Sequence, residues 1–196
     1  MSKTPALKVM LVDQSPERSV ILNQALSDAG YDVVARFNNS EDMNRRVAEV
    51  QPDLIIIDMD SPDRDTIENM RHVTNDNPKP IVMFANKTDS DTIQRAVKAG
   101  VSAYIVDGLN AERVQPIMEV AIARFREFQA LRNELLDTQS KLADRKIIEK
   151  AKGLLMDKHK LSESDAYNAM RQMAMNQNKS MSEVAKSVAV MLEAIS

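Results

Sequence analysis

The chain has 196 residues, 43% hydrophobic and 28% charged, proportions that exclude disorder and fibrous architecture. It has no cysteine and only two histidines, which removes disulfides, thiolate metal sites and cysteine nucleophiles and leaves little for a histidine-based metal centre. The net charge of −3 is uneven: residues 1–110 hold 12 basic and 17 acidic side chains, residues 111–196 hold 14 and 12, and 141–160 hold seven and three. An acidic first half and a locally basic second half imply two modules, the second suited to a polyanion. The longest apolar runs, Ile81 to Ala85 and Val188 to Leu192, are five residues, far short of the ~20 that span a bilayer. The N-terminus, MSKTPALKVMLVD, shows no apolar segment followed by a small-residue cleavage site. The expected location is the cytoplasm, with no membrane contact.

Strand-like apolar runs fall at LKVMLV (7–12), YDVVARF (31–37), PDLIIID (52–58), PIVMFA (80–85) and SAYIVD (102–107). Between them lie segments with helical periodicity, such as Val20-Ile21-Ala25-Leu26 and Ile93-Ala96-Val97, and Gly30 and Gly100 stand where helix C-caps favour glycine. Five strands alternating with helices, the central three strongly apolar, predict a doubly wound parallel sheet of about 110 residues.

From Asn110 to Met156 the only helix breakers are Pro116 and Gly153. Apolar or small residues recur three and four apart at Val114, Ile117, Ala121, Phe128, Leu131, Leu135, Thr138 and Leu142, with Arg124 at the missing position. This is a coiled-coil seam on one helix about 70 Å long, which cannot bury its own stripe. Pairing with a second copy is the expected solution, and folding back onto the sheet is the alternative. Two short helices follow. Ser162-Glu163-Ser164-Asp165 starts one, with Ala166, Ala169, Met170 and Met173 as its apolar face. Ser180-Met181-Ser182-Glu183 is a capping box for the last, which buries Met181, Val184, Val188, Leu192 and Ile195. The predicted divisions are a domain at 1–110, a helical linker at 111–142 and a three-helix unit at 143–196.

In a doubly wound sheet, sites form at the carboxyl ends of the strands. Asp13 ends the first strand and Asp58 the third, neighbours in the order 2-1-3-4-5, and Asp60 follows closely. Such carboxylates suit a divalent cation or a phosphoacceptor aspartate. The strings VMLVDQ, DLIIIDMD and SAYIVDGL resemble the flavodoxin-like receiver domain of bacterial response regulators over about residues 6–125. The resemblance makes Asp58 the phosphoacceptor candidate, in an acidic pocket of Asp13, Asp58, Asp60 and Asp107, with Asp13 and Asp58 as ligands for Mg²⁺, which is not required. Four departures stand out. The second acid after the first strand is Gln14, the hydroxyl residue at the end of the fourth is Ala85, and the usual lysine and proline after the fifth are Asp107 and Gly108. A phosphoryl group would add about −1.5 to −2 of charge there, and each like-charge contact near 4 Å costs about 4 kcal/mol at an effective dielectric near 20. Lys87 is the available substitute cation. The expectation is therefore control by a bound protein rather than by phosphorylation.

The segment DRKIIEKAKGLLMDKHKLS (144–162) gathers Ile147, Ile148, Ala151, Leu154 and Leu155 on one side of a helix. Arg145, Lys146, Lys150, Lys152 and Gly153 fall on the other. Glycine inside a helix costs about 1 kcal/mol against alanine, and on a polar face it has no packing purpose. Cations around a bare backbone patch suit phosphates. The strings IEKAKGLLM and ESDAY, with Arg145, Arg171 and Val184-Ala185 at their spacings, resemble the ANTAR domain of transcription antitermination regulators over about residues 138–192. That resemblance implies binding of leader-RNA hairpins, dimers joined by the coiled coil, and Arg145, Lys146, Lys150, Lys152, Gly153 and Arg171 as RNA contacts. Tyr167, at the position of the family's aromatic, is expected in the core. The whole arrangement resembles the nitrate-assimilation antiterminators of the NasT type, which implies an inhibitory sensor protein as partner. The alternative is a phosphorylation-switched regulator that binds DNA, but the last helix is mainly apolar with one lysine, Lys186. An enzyme is not expected, since neither a nucleophile–base pair nor a phosphate-cradling glycine loop is present.

Overall fold

The computed structural model describes residues 6–14, 16–86, 89–106 and 111–194. The elements follow as β1 (Lys8–Asp13), α1 (Pro16–Asp28), β2 (Asp32–Phe37), α2 (Met43–Val50), β3 (Leu54–Met59), α3 (Arg64–Asp76), β4 (Ile81–Ala85), α4 (Ser90–Lys98) and β5 (Ala103–Val106). A 3₁₀ turn (Ala111–Arg113) leads to α5 (Val114–His159), α6 (Glu163–Gln177) and α7 (Met181–Ala194). The chain divides into two compact units, Met1–Gln129 and Ala130–Ser196. None of the described helices is long and apolar enough to cross a membrane.

The first unit is a five-stranded sheet in the order β2-β1-β3-β4-β5, with every pairing parallel. Strand side chains alternate between faces, and that period sorts the core into two layers. Met10, Val12, Ile55, Ile57 and Met83 pack with α2, α3 and α4 through Met43, Val47, Met70, Val73 and Ala96. Val9, Leu11, Ile56, Val82 and Phe84 pack on the other face with Leu22 and Leu26 of α1 and Val114, Met118 and Ala121 of α5. The central strands β3 and β4 are buried along their whole length, whereas the edge strands β2 and β5 are only partly covered. Gly30 and Gly100 both take positive φ, as the C-cap reading requires. At Gly100 a second constraint applies: a Cβ there would collide with Thr74 Oγ1, a hydroxyl whose single proton lies between the Met70 and Ala99 carbonyls, 3.0 and 2.9 Å away.

The predicted seam on α5 divides. Val114 and Ala121 belong to the sheet core, so for them the fold-back alternative holds. Phe128, Leu131, Leu135 and Leu142 are each more than half exposed. The first of the two compact units runs to Gln129, because the first turns of α5 complete the layer opposite α2–α4.

The second unit is small and built largely from alanine. Of the ten buried apolar residues in its core among the described residues, Ala151, Ala166, Ala174, Ala185 and Ala189 are alanines, packed with Leu155, Met170, Val184, Val188 and Leu192. Both helix starts are capped as read. The Ser162 hydroxyl accepts from the Asp165 amide at 3.1 Å. Ser180 and Glu183 cap reciprocally: the Ser180 amide donates to Glu183 Oε2 at 2.8 Å, and the Glu183 amide donates to Ser180 Oγ at 3.2 Å. That amide holds the Glu183 carboxyl below its ordinary pKa. The apolar face of α6 needs correction. Its buried line is Ala166, Met170 and Ala174, spaced by four, which turns Met173 outward. Ile195 lies outside the described residues.

Candidate nucleic-acid interface and the acidic strand-end site

At the carboxyl end of the sheet, Asp13 and Asp58 stand opposite each other in the β1–β3 ladder and both are buried. The Gln14 amide donates to the Asp58 carbonyl at 3.4 Å, while the Gln14 side chain is exposed. Asp60 is exposed, and its Oδ1 accepts from Asn86 Nδ2 at 2.8 Å. Asp107, Gly108 and Lys87 lie outside the described residues. Mg²⁺ is commonly held by one or two carboxylates with water and phosphate filling the shell. Asp13 and Asp58 fit that minimal donor set, but among the described residues no three His, Asp or Glu gather into a metal-holding cluster. Ala85 ends β4 fully buried and presents a methyl group where a receiver's switch needs a hydroxyl.

In the second unit, the last turns of α5 pack Ile147, Ile148, Ala151, Leu154 and Leu155 into the core. The opposite side carries Arg145 and Lys146, both exposed, and Arg171 of α6 is exposed as well. These three cations have no ion pair among the described residues. Gly153 has open space around it: a Cβ built there meets nothing within 4 Å. The glycine is therefore not required by any packing in the second unit.

Two predicted contacts are engaged elsewhere. Lys150 Nζ pairs with Glu193 Oε1 at 2.6 Å, with both side chains about half exposed. Lys152 is the clearer correction. Its side chain is only 12% exposed, and its ammonium sits 2.7 Å from Glu149 Oε2 and 2.7 Å from Glu163 Oε1. The reason is angular: Lys152 lies at the margin of the polar arc, beside the first turn of α6, where Glu163 meets it. The bonds to Glu149 and Glu163 raise the Lys152 pKa above its ordinary value, and the lysine in turn lowers that of Glu163. Lys152 ties α5 to α6 and is not an open cation.

Tyr167 is also corrected. It is 46% exposed rather than in the core, because the buried line through Ala166 and Met170 leaves it at the flank. Glu163, Tyr167 and Arg171 follow one another at i, i+4 and i+8, one stripe of α6. A surface hollow is lined by Lys152, Glu163, Ser164 and Tyr167. The sequence did contain a signal for the lysine pairing, since Glu149 stands three residues before Lys152, the spacing of helical ion pairs. Nothing comparable announced Tyr167.

Comparison with known proteins adds two matching domains: the response regulator receiver domain over residues 9–118 and the ANTAR domain over residues 136–188. The transcriptional regulatory protein PdtaR of Mycobacterium tuberculosis is 31% identical over 181 residues, covering 92% of this chain and 88% of the relative. A protein-glutamate methylesterase/protein-glutamine glutaminase of a Nocardioides species is 31% identical over 119 residues, but these are 32% of its length. The likeness to that enzyme is confined to the receiver portion of this chain. Among solved structures, the receiver domain of a modulated diguanylate cyclase from Desulfovibrio desulfuricans aligns with TM-score 0.55 at 24% identity. The alignment covers 62% of this chain and 97% of that domain, a likeness of fold.

Proposed function

The chain belongs to the response regulators in which a receiver domain is joined to an ANTAR domain, and from that membership we propose that it is a transcription antiterminator that binds hairpins in leader RNA. One observation carries the reading: Gly153 lies open on the polar side of α5, at a cost in helix stability that no packing in its own unit explains. Arg145, Lys146 and Arg171 supply exposed cations for phosphates, and Tyr167 supplies a ring on which an unpaired base can stack. Lys152 holds the corner between α5 and α6 that presents them.

The working form is a homodimer joined through Phe128, Leu131, Leu135 and Leu142, an exposed apolar stripe that water disfavours. Control reaches the receiver through a protein partner, an inhibitory sensor of the nitrate-responsive kind. The exposed amide of Gln14 and the buried methyl of Ala85 support this, since neither does what a phosphorylation switch asks of it.

The RNA reading is tested by titrating the purified chain with a two-hairpin leader RNA and with duplex DNA across a salt series. Preference for the RNA at every salt concentration is expected, and equal affinity for both refutes it. The control reading is tested by intact mass after incubation with a small phosphodonor and Mg²⁺. No adduct is expected, and a stable gain of about 80 Da overturns it.

A further inference from the structure

The first unit carries one basic groove that neither the sheet-end site nor the RNA face uses. Along α3, Arg64, Ile67, Glu68 and Arg71 are spaced i, i+3, i+4 and i+7, which places them on one stripe. Together with Arg95, Lys98 and Ala99 from the end of α4, they line a cavity of about 270 Å³. Four cations and one carboxylate thus converge in a half of the chain whose 17 acidic residues outnumber its 12 basic ones, these four included.

The partners of these groups are unequal. Arg95 is held by Asp91, 2.9 Å from its Nε, and donates to the Thr92 hydroxyl at 3.1 Å. Glu68 is shared loosely, 3.9 Å from Arg71 Nη1 and 3.8 Å from His72 Nε2. Arg64 and Lys98 have no ion pair among the described residues, although each is set beside the groove. The floor is apolar, formed by Ile67 and Ala99.

We infer that this α3–α4 groove docks a short acidic amphipathic segment of a partner protein, its apolar side chain on Ile67 and Ala99 and its carboxylates on Arg64, Arg71 and Lys98. Charge complementarity selects an anion, and the apolar floor selects among anions. A nucleic-acid backbone has nothing to place on Ile67, and a long polyanion meets the net negative charge of the surrounding half. A helical segment with anchors at every third or fourth position satisfies both floor and rim. The inference deepens the partner-control reading and rests on it.

The test uses the full chain and two labelled peptides of about fourteen residues, with leucine at every third or fourth position and glutamate or glutamine elsewhere. Saturable binding of the glutamate peptide, with weak binding of the glutamine peptide, is expected. The double variant Arg64→Glu/Lys98→Glu lowers affinity for the glutamate peptide at least tenfold and leaves leader-RNA binding unchanged. Circular dichroism identical to that of the parent chain shows that the variant is folded. Equal binding of both peptides, equal binding by the variant, or displacement of the glutamate peptide by a short RNA duplex overturns the inference. The phosphodonor experiment fails or succeeds separately, so loss of the groove and loss of partner control are told apart.

Discussion

Gly153→Ala separates stability from binding at a single methyl group. In an exposed helix interior, alanine is favoured over glycine by about 1 kcal/mol. Here nothing offsets that gain, because the added Cβ meets no atom within 4 Å. For a unit the size of Ala130–Ser196, a gain of about 1 kcal/mol raises the unfolding midpoint by about 4–8 °C. Under the proposed function the same methyl group obstructs RNA at the bare backbone, and a tenfold loss of affinity corresponds to about 1.4 kcal/mol. Thermal unfolding followed by circular dichroism reads the first effect, and titration of fluorescent leader RNA reads the second. The expected pair is a more stable protein that binds at least tenfold more weakly. A more stable variant that binds RNA as well as the parent refutes the close-approach reasoning. A less stable variant refutes the claim that the position is open.

Arg145→Ala weakens RNA binding and lowers the slope of log affinity against log salt by about one, the signature of one lost phosphate contact; an unchanged slope removes Arg145 from the interface. Tyr167→Ala leaves the unfolding midpoint within a few degrees, because the ring is nearly half exposed, but lowers affinity for hairpins with unpaired loop bases more than for plain duplex RNA. Glu163→Gln reports the Lys152 ion pair through pH: a carboxyl whose folded pKa is depressed below 4.5 stabilises the fold above that value and loses its contribution as pH falls through the folded pKa. The variant is thus less stable than the parent at pH 7 and equal to it in acid, and added salt narrows the gap. Leu135→Lys places a charge in the exposed seam, so the expected result of sedimentation equilibrium is a dimer for the parent and a monomer for the variant; a dimer retained in the variant excludes that stripe as the interface.

The sheet was legible because its chemistry is local. Runs such as Leu54 to Ile57 are apolar on both faces, as a covered parallel strand requires, and the order 2-1-3-4-5 expected of such a doubly wound sheet is the one observed. Helix starts were legible for the same reason, since Ser180 and Glu183 find each other within one turn. What escaped depends on how elements pack against one another rather than on the pattern within one of them. Lys152 reads as an open cation until Glu163 on the next helix takes it. Tyr167 reads as core until Ala166 and Met170 claim the buried line. The basic groove is invisible in sequence because Arg64 and Lys98 stand 34 positions apart and meet only when α3 lies beside α4. The seam on α5 has a single period throughout, so periodicity alone did not mark where the sheet stops covering it.

The alanine-rich interior of Ala130–Ser196 has a consequence of its own. Alanine contributes little transfer free energy, and a module of this length has a high ratio of surface to volume. Its reserve against melting is therefore slim, and any ligand that recognises only the native shape adds to that reserve in proportion to the logarithm of its concentration. If leader RNA is that ligand, as proposed, occupied molecules resist proteolysis better than empty ones, and the amount of bound transcript then governs how long the protein lasts.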